Sequence, residues 1–440
     1  MKVVFLCGGI GKRMHPITEE KTLINFVGKT LLEHQLETLT AAGFREFVLV
    51  CSPFNEEKIR SICSRLRYKI EFAVQKEPKG MADAVLSAKH LLDGEILVIN
   101  PNDYCDVTAY EKIMQASKTN ADVMILGYKV ASYFPGGYLK TSSDGNLMEI
   151  VEKPGEGNEP SDMINVVVHY FKDAKTAVKY FETTKSERDD VYETALSRMM
   201  KDGLKIKVLP FSGTWIPLKY PWHIFHLLKY FLDNIQTRIS ATAKVSTKAT
   251  IEGKVVIDDN VKIFEGAAIK GPCYIGKNSV IGNNALIWNY TQIGSQSVVG
   301  YSTEVKHSWI GDNCWFHTNY IGDSIIADNC SFGAGTITAN YRFDEQNVNV
   351  KVGDTRIDTG FDKFGAIVGE NCKTGINVSL MPGVKVGPKS IVAAGVTLMS
   401  DLEPNKIIFV NETSFTIKDN PIKVSAEKKE ELMKRLLEKK

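Results

Sequence analysis

The chain has 440 residues, of which 43% are hydrophobic and 24% are charged, and its formal net charge is +2. This length exceeds the size at which one hydrophobic core usually stops growing, so two or three domains are expected. The small net charge and the lack of a long apolar segment give no reason to expect nucleic acid or a membrane as a partner.

The first part of the chain alternates short apolar strands with amphipathic helices. Strands are predicted at 3–7, 46–50 and 95–100, and helices at 30–42 and 82–92. This alternation is typical of βαβ units, in which helices cover a parallel sheet. Ligands bind beyond the carboxyl ends of such strands, so we expect functional residues after Leu6 and Asn100.

A glycine-rich loop follows directly after the first predicted strand. It runs from Cys7 to Met14 and reads CGGIGKRM. Glycines let backbone N–H groups approach a triphosphate, and lysine and arginine neutralise its charge. Such loops also occur for steric reasons alone, and neither this loop nor the segment Gly28 to Thr30 matches a Walker A motif.

From Ile251 onward an aliphatic residue recurs at every sixth position. The series is Ile251, Ile257, Ile263, Ile269, Ile275, Ile281, Ile287, Ile293, Val299 and Val305, and it returns at Leu380, Val386, Val392 and Leu398. Helices repeat near 3.6 residues and strands near 2, so a hexad repeat predicts a parallel β-helix whose coils share one core. We expect chemistry in the interruption between the two series, from His317 to Lys351.

These patterns predict three parts of the chain. Residues 1–239 form an α/β domain that ends in a helix over 220–239, residues 240–425 form the β-helix, and residues 426–440 form a charged amphipathic helix that caps it. The eight cysteines show no CxxC spacing, which predicts free thiols in a cytoplasmic protein. Cys314 and Cys330 are expected to be small buried residues.

The glycine-rich loop is the first of a longer series of motifs. It is followed by Pro16-Ile17-Thr18, Lys21-Thr22-Leu23, Val27 to His34, Gln75, Gly80, Asp103, Gly137, Glu152-Lys153-Pro154 and Asn165. In order and approximate spacing, this series resembles the sugar-1-phosphate nucleotidyltransferases over most of the first domain. The resemblance implies a Rossmann-like fold and an in-line attack of a sugar phosphate oxygen on the α-phosphorus of a nucleotide.

The same resemblance implies a role for each matched residue. Gly8, Gly9 and Gly11 would hold the nucleotide, and Gln75 and Gly80 would contact its pyrimidine. Arg13 and Lys21 would act on the phosphates, and Asp103 would bind Mg²⁺. The sugar would be held by Gly137, Glu152 and Asn165.

The first domain also departs from the family pattern. The family's second metal ligand lies in a Trp-x-Asp/Asn-x-Gly segment, and Pro217 stands at the ligand position in the segment Trp215 to Lys219. Asn102 replaces the glycine usual before the metal aspartate, and Met81 replaces a threonine. These departures leave open whether the domain catalyses or only binds a nucleotide.

In the second domain, His317 stands in a cluster of polar motifs. The cluster consists of His317 to Asp323, Phe332 to Thr336 and Ala339 to Arg342. A lone histidine is more often a structural residue than a catalyst. These motifs, however, resemble the acetyltransferase half of the bifunctional N-acetylglucosamine-1-phosphate uridyltransferase/glucosamine-1-phosphate acetyltransferase family. The segments Arg342 to Glu345 and Thr374 to Asn377 fit its archaeal branch.

This second resemblance implies acetyl transfer from acetyl-CoA to an amine, with His317 as the base. Asn340 would act with it, and Lys306, Tyr320, Arg342 and Lys351 would bind the sugar phosphate. Acetyl-CoA would contact Ala334, Gly375 and Ala394. Trp288, Gln346 and Asn349 stand where the family has basic residues. Arg342 and Lys351 could supply that charge, and unchanged substrate affinity in an Arg342→Ala protein would count against this hypothesis.

Together the resemblances imply a bifunctional homotrimeric enzyme that acetylates glucosamine 1-phosphate and then transfers a uridylyl group from UTP, with Mg²⁺ and acetyl-CoA. One alternative is an acetyltransferase whose first domain senses nucleotides without turnover. Another is a nucleotidyltransferase with a purely structural β-helix. The residues do not distinguish UTP from dTTP, or glucosamine from galactosamine.

Overall fold

The computed structural model describes residues 1–9, 11–188 and 190–411. The helix predicted at 426–440 and the predicted end of the second domain lie outside these residues. The described part contains an α/β domain with helices on both faces of its sheet, followed by a left-handed parallel β-helix. The predicted fold class is therefore confirmed.

The α/β domain contains seven α-helices and thirteen strands within the described residues. The helices are α1 Leu31–Ala41, α2 Glu56–Cys63, α3 Gly80–Ser87, α4 Val107–Ala116, α5 Ala174–Thr183, α6 Val191–Lys201 and α7 His223–Asp233. The strands are β1 Lys2–Cys7, β2 Asn25–Phe26, β3 Lys29–Thr30, β4 Glu46–Cys51, β5 Lys69–Val74, β6 Ile96–Ile99, β7 Asp103–Cys105, β8 Val123–Lys129, β9 Gly137–Thr141, β10 Leu147–Glu152, β11 Met163–Phe171, β12 Ile206–Phe211 and β13 Trp215–Pro217.

The main sheet is mixed rather than wholly parallel. Its strand order is β10-β9-β11-β6-β1-β4-β5, and β8 pairs with β11 and β12. The strands predicted from the sequence, β1, β4 and β6, are parallel, whereas β11 runs antiparallel to β6 and β8. Successive residues of β1 face opposite sides, so Val4 packs toward α3, α5 and α6 while Val3 packs toward α1, α2 and α4.

The β-helix has three faces, each formed by parallel strands of successive coils. The first face contains Arg238–Ile239, Val255–Ile257, Cys273–Ile275, Thr291–Ile293, Trp309–Ile310, Ile325–Ile326, Ile367–Val368 and Lys385–Val386. The second contains Lys244–Val245, Lys262–Ile263, Val280–Ile281, Val298–Val299, Trp315–Phe316, Ser331–Phe332, Lys373–Thr374, Ile391–Val392 and Ile407–Ile408. The third contains Thr250–Glu252, Ala268–Lys270, Leu286–Ile287, Glu304–Lys306, Tyr320–Gly322, Ile337–Thr338, Ser379–Leu380 and Thr397–Leu398.

The residues of the hexad repeat from Ile257 to Val305 form the continuous core of this solenoid. The predicted interruption from His317 to Lys351 is partly wrong, because regular coils continue through Phe316, Ile321 and Phe332. These coils are one or two residues shorter, since Glu304 pairs with Tyr320 instead of a residue eighteen positions on. A shortened corner breaks the sequence period without breaking the coil.

The true insertion lies between the strands Ile337–Thr338 and Ile367–Val368. It carries an antiparallel hairpin, Asn349–Val352 with Thr355–Asp358. Val350 of this hairpin and Val348, just before it, are buried against α7 and the first face of the solenoid. The insertion is thereby tied to both domains.

The two domains share a hydrophobic core. Helix α7 packs against the first face of the solenoid, and it is shorter than the predicted helix over 220–239 because Arg238–Ile239 already pairs with Val256–Ile257. The β2–β3 turn also docks on this face. The indole N–H of Trp309 donates to the Asn25 carbonyl at 2.9 Å, and the Val27 N–H donates to Gln292 at 2.8 Å. The turn from Asn25 to Gly28 therefore belongs to a domain contact, since Gly28 also lies against the Tyr274 hydroxyl.

The eight cysteines are all free and buried, which confirms the predicted thiols. Cys314 and Cys330 lie in the solenoid core, as expected. Within the described residues, every helix is too short or too polar to cross a membrane.

Candidate active sites

The glycine-rich loop lies against a buried glutamine. Gly11 adopts a left-handed conformation with φ 63° and precedes the short helix Lys12–Met14. A Cβ atom added to Gly8 would come within 2.3 Å of the Gln75 side-chain oxygen, whereas a Cβ at Gly9 would meet open space. Glycine at position 8 therefore allows Gln75 to contact the loop backbone.

The orientation of the Gln75 amide is fixed by its partners. Its side chain is only 4% exposed, and its Nε2 donates to the Gly80 carbonyl at 3.0 Å and to the Asp83 carboxylate at 2.8 Å. A carbonyl and a carboxylate both accept hydrogen bonds, so the amide nitrogen faces them and the oxygen stays available as an acceptor. A cavity of about 300 Å³ lies beside it, lined by Gly8, Gly9, Gln75 and Gly80 among others.

Asp103 begins strand β7 and lies among cations. Burial raises the pKa of its carboxyl, against the opposing effect of the positive charges of Lys219 and Lys21. Burial lowers the pKa of Lys21. The positive charge of Arg13 lowers it further, and the negative charge of Asp103 opposes both effects. The Lys21 stem also lies 3.7 Å from the position of a Cβ on Gly11. The predicted residues Arg13, Lys21 and Asp103 are thus brought together beside the glycine-rich loop.

Lys219 is a member of this cluster that the sequence analysis missed as a functional candidate. Burial lowers the pKa of its ammonium to about 8, while Asp103 raises it and Arg13 lowers it. The ammonium donates to the Pro135 carbonyl at 2.6 Å and lies 3.5 Å from the centroid of the Phe134 ring. The sequence did contain a signal for this residue, because Lys219 stands two positions after Pro217, where the family's metal ligand is missing.

The residues near Asp103 fit a metal ion only if substrate phosphates provide the remaining ligands. Pro217 pairs with Asp103 across β7 and β13, so the position opposite the carboxylate offers no side-chain ligand. No group of three or more histidine, cysteine or acidic side chains suited to a metal lies within residues 1–9, 11–188 and 190–411. Mg²⁺ is commonly held by one carboxylate together with substrate phosphates, and this donor set fits that mode.

The three predicted sugar-binding residues converge on one point. Gly137 begins β9 and pairs with Glu152 of β10. A Cβ on Gly137 would lie 3.0 Å from the Glu152 carboxylate and 3.4 Å from Cβ of Asn165. Glycine at this position therefore keeps open the space that the other two side chains border.

The Asn165 side chain is oriented by a buried histidine. Its Oδ1 lies 2.7 Å from Nε2 of His169, and Nδ1 of His169 lies 3.0 Å from the Tyr192 hydroxyl. Burial lowers the pKa of His169 to about 3, so the ring is neutral. Nε2–H then donates to Asn165 and Nδ1 accepts from Tyr192, which leaves the Asn165 amide N–H groups for a ligand.

Glu193 of α6 is a buried acid next to this region, and it gives a stability prediction. It is 7% exposed, and burial together with the charge of Glu152 raises its pKa to about 7. The pKa of Glu193 is higher in the folded protein than in the unfolded chain. Its contribution to the free energy of unfolding is therefore most favourable below about pH 4.5, and this contribution is lost as the pH rises to about 7. At pH 8 we expect Glu193→Gln to raise the free energy of unfolding by about 2–3 kcal/mol.

Chemical denaturation at pH 5 and pH 8 measures this effect. The gain should be small at pH 5, and the exposed Glu111→Gln control on α4 should show no pH-dependent gain. An equal effect of Glu193→Gln at both pH values would contradict the assignment.

His317 lies at the corner between the second and third faces of the solenoid. Its backbone N–H donates to the Asn319 side chain at 2.5 Å, and Asn319 donates to the carbonyls of Gly333 at 2.8 Å and Thr336 at 3.1 Å. Asn319 thereby fixes the corner, while the His317 imidazole is exposed. Within the described part of the chain the imidazole has no hydrogen-bond partner, so it lacks the contacts of a structural histidine.

The predicted acetyl-CoA residues stack along this same corner. A Cβ added to Gly333 would lie 2.5 Å from the Gly375 backbone, and one added to Gly375 would lie 2.4 Å from the Ala394 nitrogen. The Asn377 N–H donates to the Ala334 carbonyl at 2.9 Å. His317, Ala334, Gly375 and Ala394 thus form one column of close-packed backbone on successive coils.

Three of the other predicted residues, Lys306, Tyr320 and Asn340, lie at a different corner, between the third and first faces. The Asn340 amide donates to the Tyr320 hydroxyl at 3.2 Å and also to Asp323. Asp323 lies 3.3 Å from Nδ1 of His307. Lys306 pairs with Gly322 in the neighbouring coil. His307 and Asp323 were not predicted, because they acquire a role only when the coils stack.

A cation also lies beside Trp288, where the family pattern has an arginine. The ammonium of Lys270 lies 4.7 Å from the centroid of the Trp288 ring, and the Trp288 indole donates to Glu304 at 2.7 Å. Lys270 belongs to the coil before Trp288, eighteen residues away in sequence. One regular coil is eighteen residues long, so the sequence spacing could have indicated that Lys270 lies beside Trp288.

Arg342 and Lys351 occupy different parts of the insertion. Arg342 pairs with Asp344, with Nε at 2.7 Å from the carboxylate, and this contact lowers the pKa of Asp344 to about 2. Lys351 has an exposed side chain on the hairpin, and its carbonyl accepts from Lys385 at 2.6 Å. The charge-replacement hypothesis for these two residues stays a prediction.

Within one chain, His317 and Asn340 do not contact each other. His317 precedes the third face and Asn340 follows it, so they lie at its opposite corners. The structure thus separates two corners, which we name after their predicted roles: the acyl-donor corner contains His317, Ala334, Gly375 and Ala394, and the acceptor corner contains Lys306, Tyr320 and Asn340.

The fold and the two sites define a two-domain transferase. Residues 2–217 match the family model described as nucleotidyl transferase, and residues 254–287 and 365–399 match the bacterial transferase hexapeptide model. The enzyme therefore combines a nucleotidyltransferase domain with a hexapeptide-repeat acyltransferase domain.

The chain belongs to the bifunctional GlmU family. It is 37% identical over 423 residues to the bifunctional protein GlmU of Methanococcus maripaludis and 36% identical over 414 residues to that of Methanocaldococcus jannaschii; each match covers 93% of this chain and 97% of the relative. It is also 34% identical over 412 residues to the bifunctional sugar-1-phosphate nucleotidylyltransferase/acetyltransferase of Sulfurisphaera tokodaii, covering 91% of this chain and 98% of the relative.

Proposed function

We propose that this enzyme acetylates glucosamine 1-phosphate with acetyl-CoA and then couples the product to UTP, releasing pyrophosphate. The observation that carries this proposal is the pair of separate sites in one chain, with Asp103 among cations in the first domain and an exposed His317 in the second. The names of the curated relatives support the same pair of reactions.

The acetyl transfer needs a base, because an ammonium cannot attack a thioester. After the ammonium has lost one proton to water, His317 would take a second proton as the nitrogen bonds to the acetyl carbon and the bond from carbon to sulfur breaks. The coenzyme A thiolate leaves and takes up the proton. Asn319 contributes by holding the corner that carries His317.

The nucleotidyl transfer needs positive charge more than it needs a protein nucleophile. Arg13 and Lys21 would neutralise the triphosphate while the glycine-rich loop holds it. Asp103 would anchor Mg²⁺, which supplies stabilisation of the charge on the transferred phosphoryl group. Glu152 and Asn165 would orient the sugar so that its phosphate faces the α-phosphorus.

Gln75 gives a prediction about the base. Because its oxygen can only accept, the N3–H of uracil or thymine would donate to it, whereas N3 of cytosine has no hydrogen. We expect kcat/KM for CTP to be lower than for UTP by about 100-fold or more. Pyrophosphate release with each nucleotide measures this ratio.

The Asp83→Asn protein is the matched test, because an asparagine no longer fixes the direction of the Gln75 amide. In this variant the kcat/KM values for UTP and CTP should differ by a smaller factor than in the unaltered enzyme. Equal use of both nucleotides by the unaltered enzyme would contradict the proposed role of Gln75.

The proposal includes a homotrimer in the cytoplasm. The separation of the acyl-donor and acceptor corners supports an assembly in which one solenoid supplies the donor corner and its neighbour supplies the acceptor corner. Tyr301 and Ile376 are exposed near the donor corner, and both would be covered by a neighbour.

Pro217 favours a second candidate, in which the first domain binds a nucleotide without turning it over. Pyrophosphate release from UTP, Mg²⁺ and N-acetylglucosamine 1-phosphate separates the two. Release would support the bifunctional proposal. Intact acetyl transfer without any release would support a first domain that only binds.

A further inference from the structure

Pro217 removes a ligand from the first site, and the same segment brings in a cation. Strand β13 pairs antiparallel with β7 so that Pro217 lies opposite Asp103. The Leu218 N–H then donates to the Asn102 carbonyl at 2.9 Å, which keeps the chain beside β7 for one more residue. Lys219 comes next and carries its ammonium into the site.

The ammonium of Lys219 lies at the start of the sugar-binding strand. It donates to the Pro135 carbonyl at 2.6 Å and lies 3.8 Å from the position of a Cβ on Gly136, the residue before Gly137. The Phe134 ring centroid is 3.5 Å away. These contacts fix the direction of the long side chain, so little rotamer freedom is left to lose on binding a ligand.

Lys219 keeps the capacity to bind an anion. An ammonium has three N–H donors, and one is used by Pro135. Among residues 1–9, 11–188 and 190–411, no carboxylate lies within 4 Å of its nitrogen, so its charge is not already paired. A half-buried cation that is not paired with a carboxylate is stabilised by an anionic ligand.

The charges around Lys219 indicate which anion it meets. Two carboxylates act on it electrostatically, Asp103 of the predicted phosphate site and Glu152 of the predicted sugar site, and the positive charges of Arg13 and Lys153 oppose them. The phosphate of a sugar 1-phosphate is the group that lies between a bound sugar and the α-phosphate of a nucleotide. Its dianion would be attracted by an ammonium at this junction.

We propose that Lys219 is a catalytic residue that binds the phosphate of the sugar 1-phosphate and supplies the positive charge that Pro217 cannot anchor through a metal. In the reaction, an oxygen of this phosphate forms a bond to the α-phosphorus, and the bond from the α-phosphorus to the pyrophosphate oxygen breaks. Pyrophosphate leaves with the electron pair. Lys219 stays protonated and holds the attacking phosphate in line. This inference rests on the proposed uridylyl transfer.

The test compares Lys219→Met with Lys219→Arg. Methionine keeps an unbranched stem against Phe134 and removes the charge, whereas arginine keeps the charge. We expect Lys219→Met to lower kcat/KM for N-acetylglucosamine 1-phosphate by at least about 30-fold, with KM for UTP changed less than about twofold. Lys219→Arg should recover most of the loss. Lys140→Met, an exposed lysine on β9, is the matched control and should behave as the unaltered enzyme.

A binding measurement separates this inference from the proposed function. N-acetylglucosamine 1-phosphate is titrated calorimetrically into the Mg²⁺-loaded enzyme that holds a UTP analogue with a methylene bridge between the α- and β-phosphorus. Lys219→Met should weaken binding of the sugar phosphate by at least about tenfold and leave binding of the analogue unchanged. Unchanged sugar-phosphate binding would overturn the role of Lys219, whether or not the enzyme turns over. An enzyme that is fully active as Lys219→Met would overturn it while leaving the proposed function intact.

Discussion

The His317→Ala protein is expected to lose acetyl transfer by about 100-fold to 10,000-fold in kcat, because no other described side chain at the acyl-donor corner can take the proton from the amine. The fold should be preserved, since the imidazole is exposed and the corner is held by Asn319 rather than by the ring. Thiol release from acetyl-CoA in the presence of glucosamine 1-phosphate measures the loss.

Two controls accompany this variant. His90→Ala, an exposed histidine of the first domain, should keep full acetyl transfer. Pyrophosphate release by His317→Ala itself should be unchanged, because the nucleotide site lies in the other domain. If His317→Ala still transferred acetyl groups at the normal rate, the solenoid would be a structural element and the protein a nucleotidyltransferase alone.

The Asp103→Ala protein is expected to lose pyrophosphate release by about 100-fold to 1,000-fold. Asp103 lies on β7 opposite Pro217, and proline has no side-chain group that could replace the carboxylate as a ligand. Its removal also takes away the largest of the negative charges that raise the pKa values of Lys21 and Lys219. Acetyl transfer by the same protein should be unaffected.

The matched control is Asp144→Ala, which removes an exposed aspartate from the turn between β9 and β10. It should release pyrophosphate at the normal rate. Normal release by Asp103→Ala would show that the cations act without the carboxylate and that the assignment of this site is wrong.

The solenoid was the part of the fold that the sequence predicted best. Buried positions such as Ile281 and Ile293 are separated by a fixed number of residues because every coil has the same three faces. The prediction failed where a corner lost a residue, as between Val305 and Ile310. A period read from the sequence cannot separate a shortened corner from the end of a coil.

The first domain shows a different limit of sequence reasoning. The loops after Leu6 and Asn100 were predicted from the strand pattern, and the roles of their residues by resemblance. The structure places the glycine-rich loop directly after β1 and Asp103 at the start of β7, just beyond the neighbouring strand β6. Lys219 was missed because its significance depends on the pairing of β13 with β7, which joins residues more than a hundred positions apart. The contacts of Asp323 with His307 and Asn340 were missed for the same reason, since only the stacking of the coils brings these residues together.

The most direct test of the central claim supplies the purified enzyme with glucosamine 1-phosphate, UTP and Mg²⁺, with and without acetyl-CoA, and measures pyrophosphate and nucleotide sugar. We expect pyrophosphate and UDP-N-acetylglucosamine to appear only when acetyl-CoA is present, after a lag in which the acetylated intermediate accumulates. Pyrophosphate release that does not depend on acetyl-CoA would contradict the proposed order of the two reactions. Acetyl transfer without any nucleotide sugar would contradict the bifunctional account.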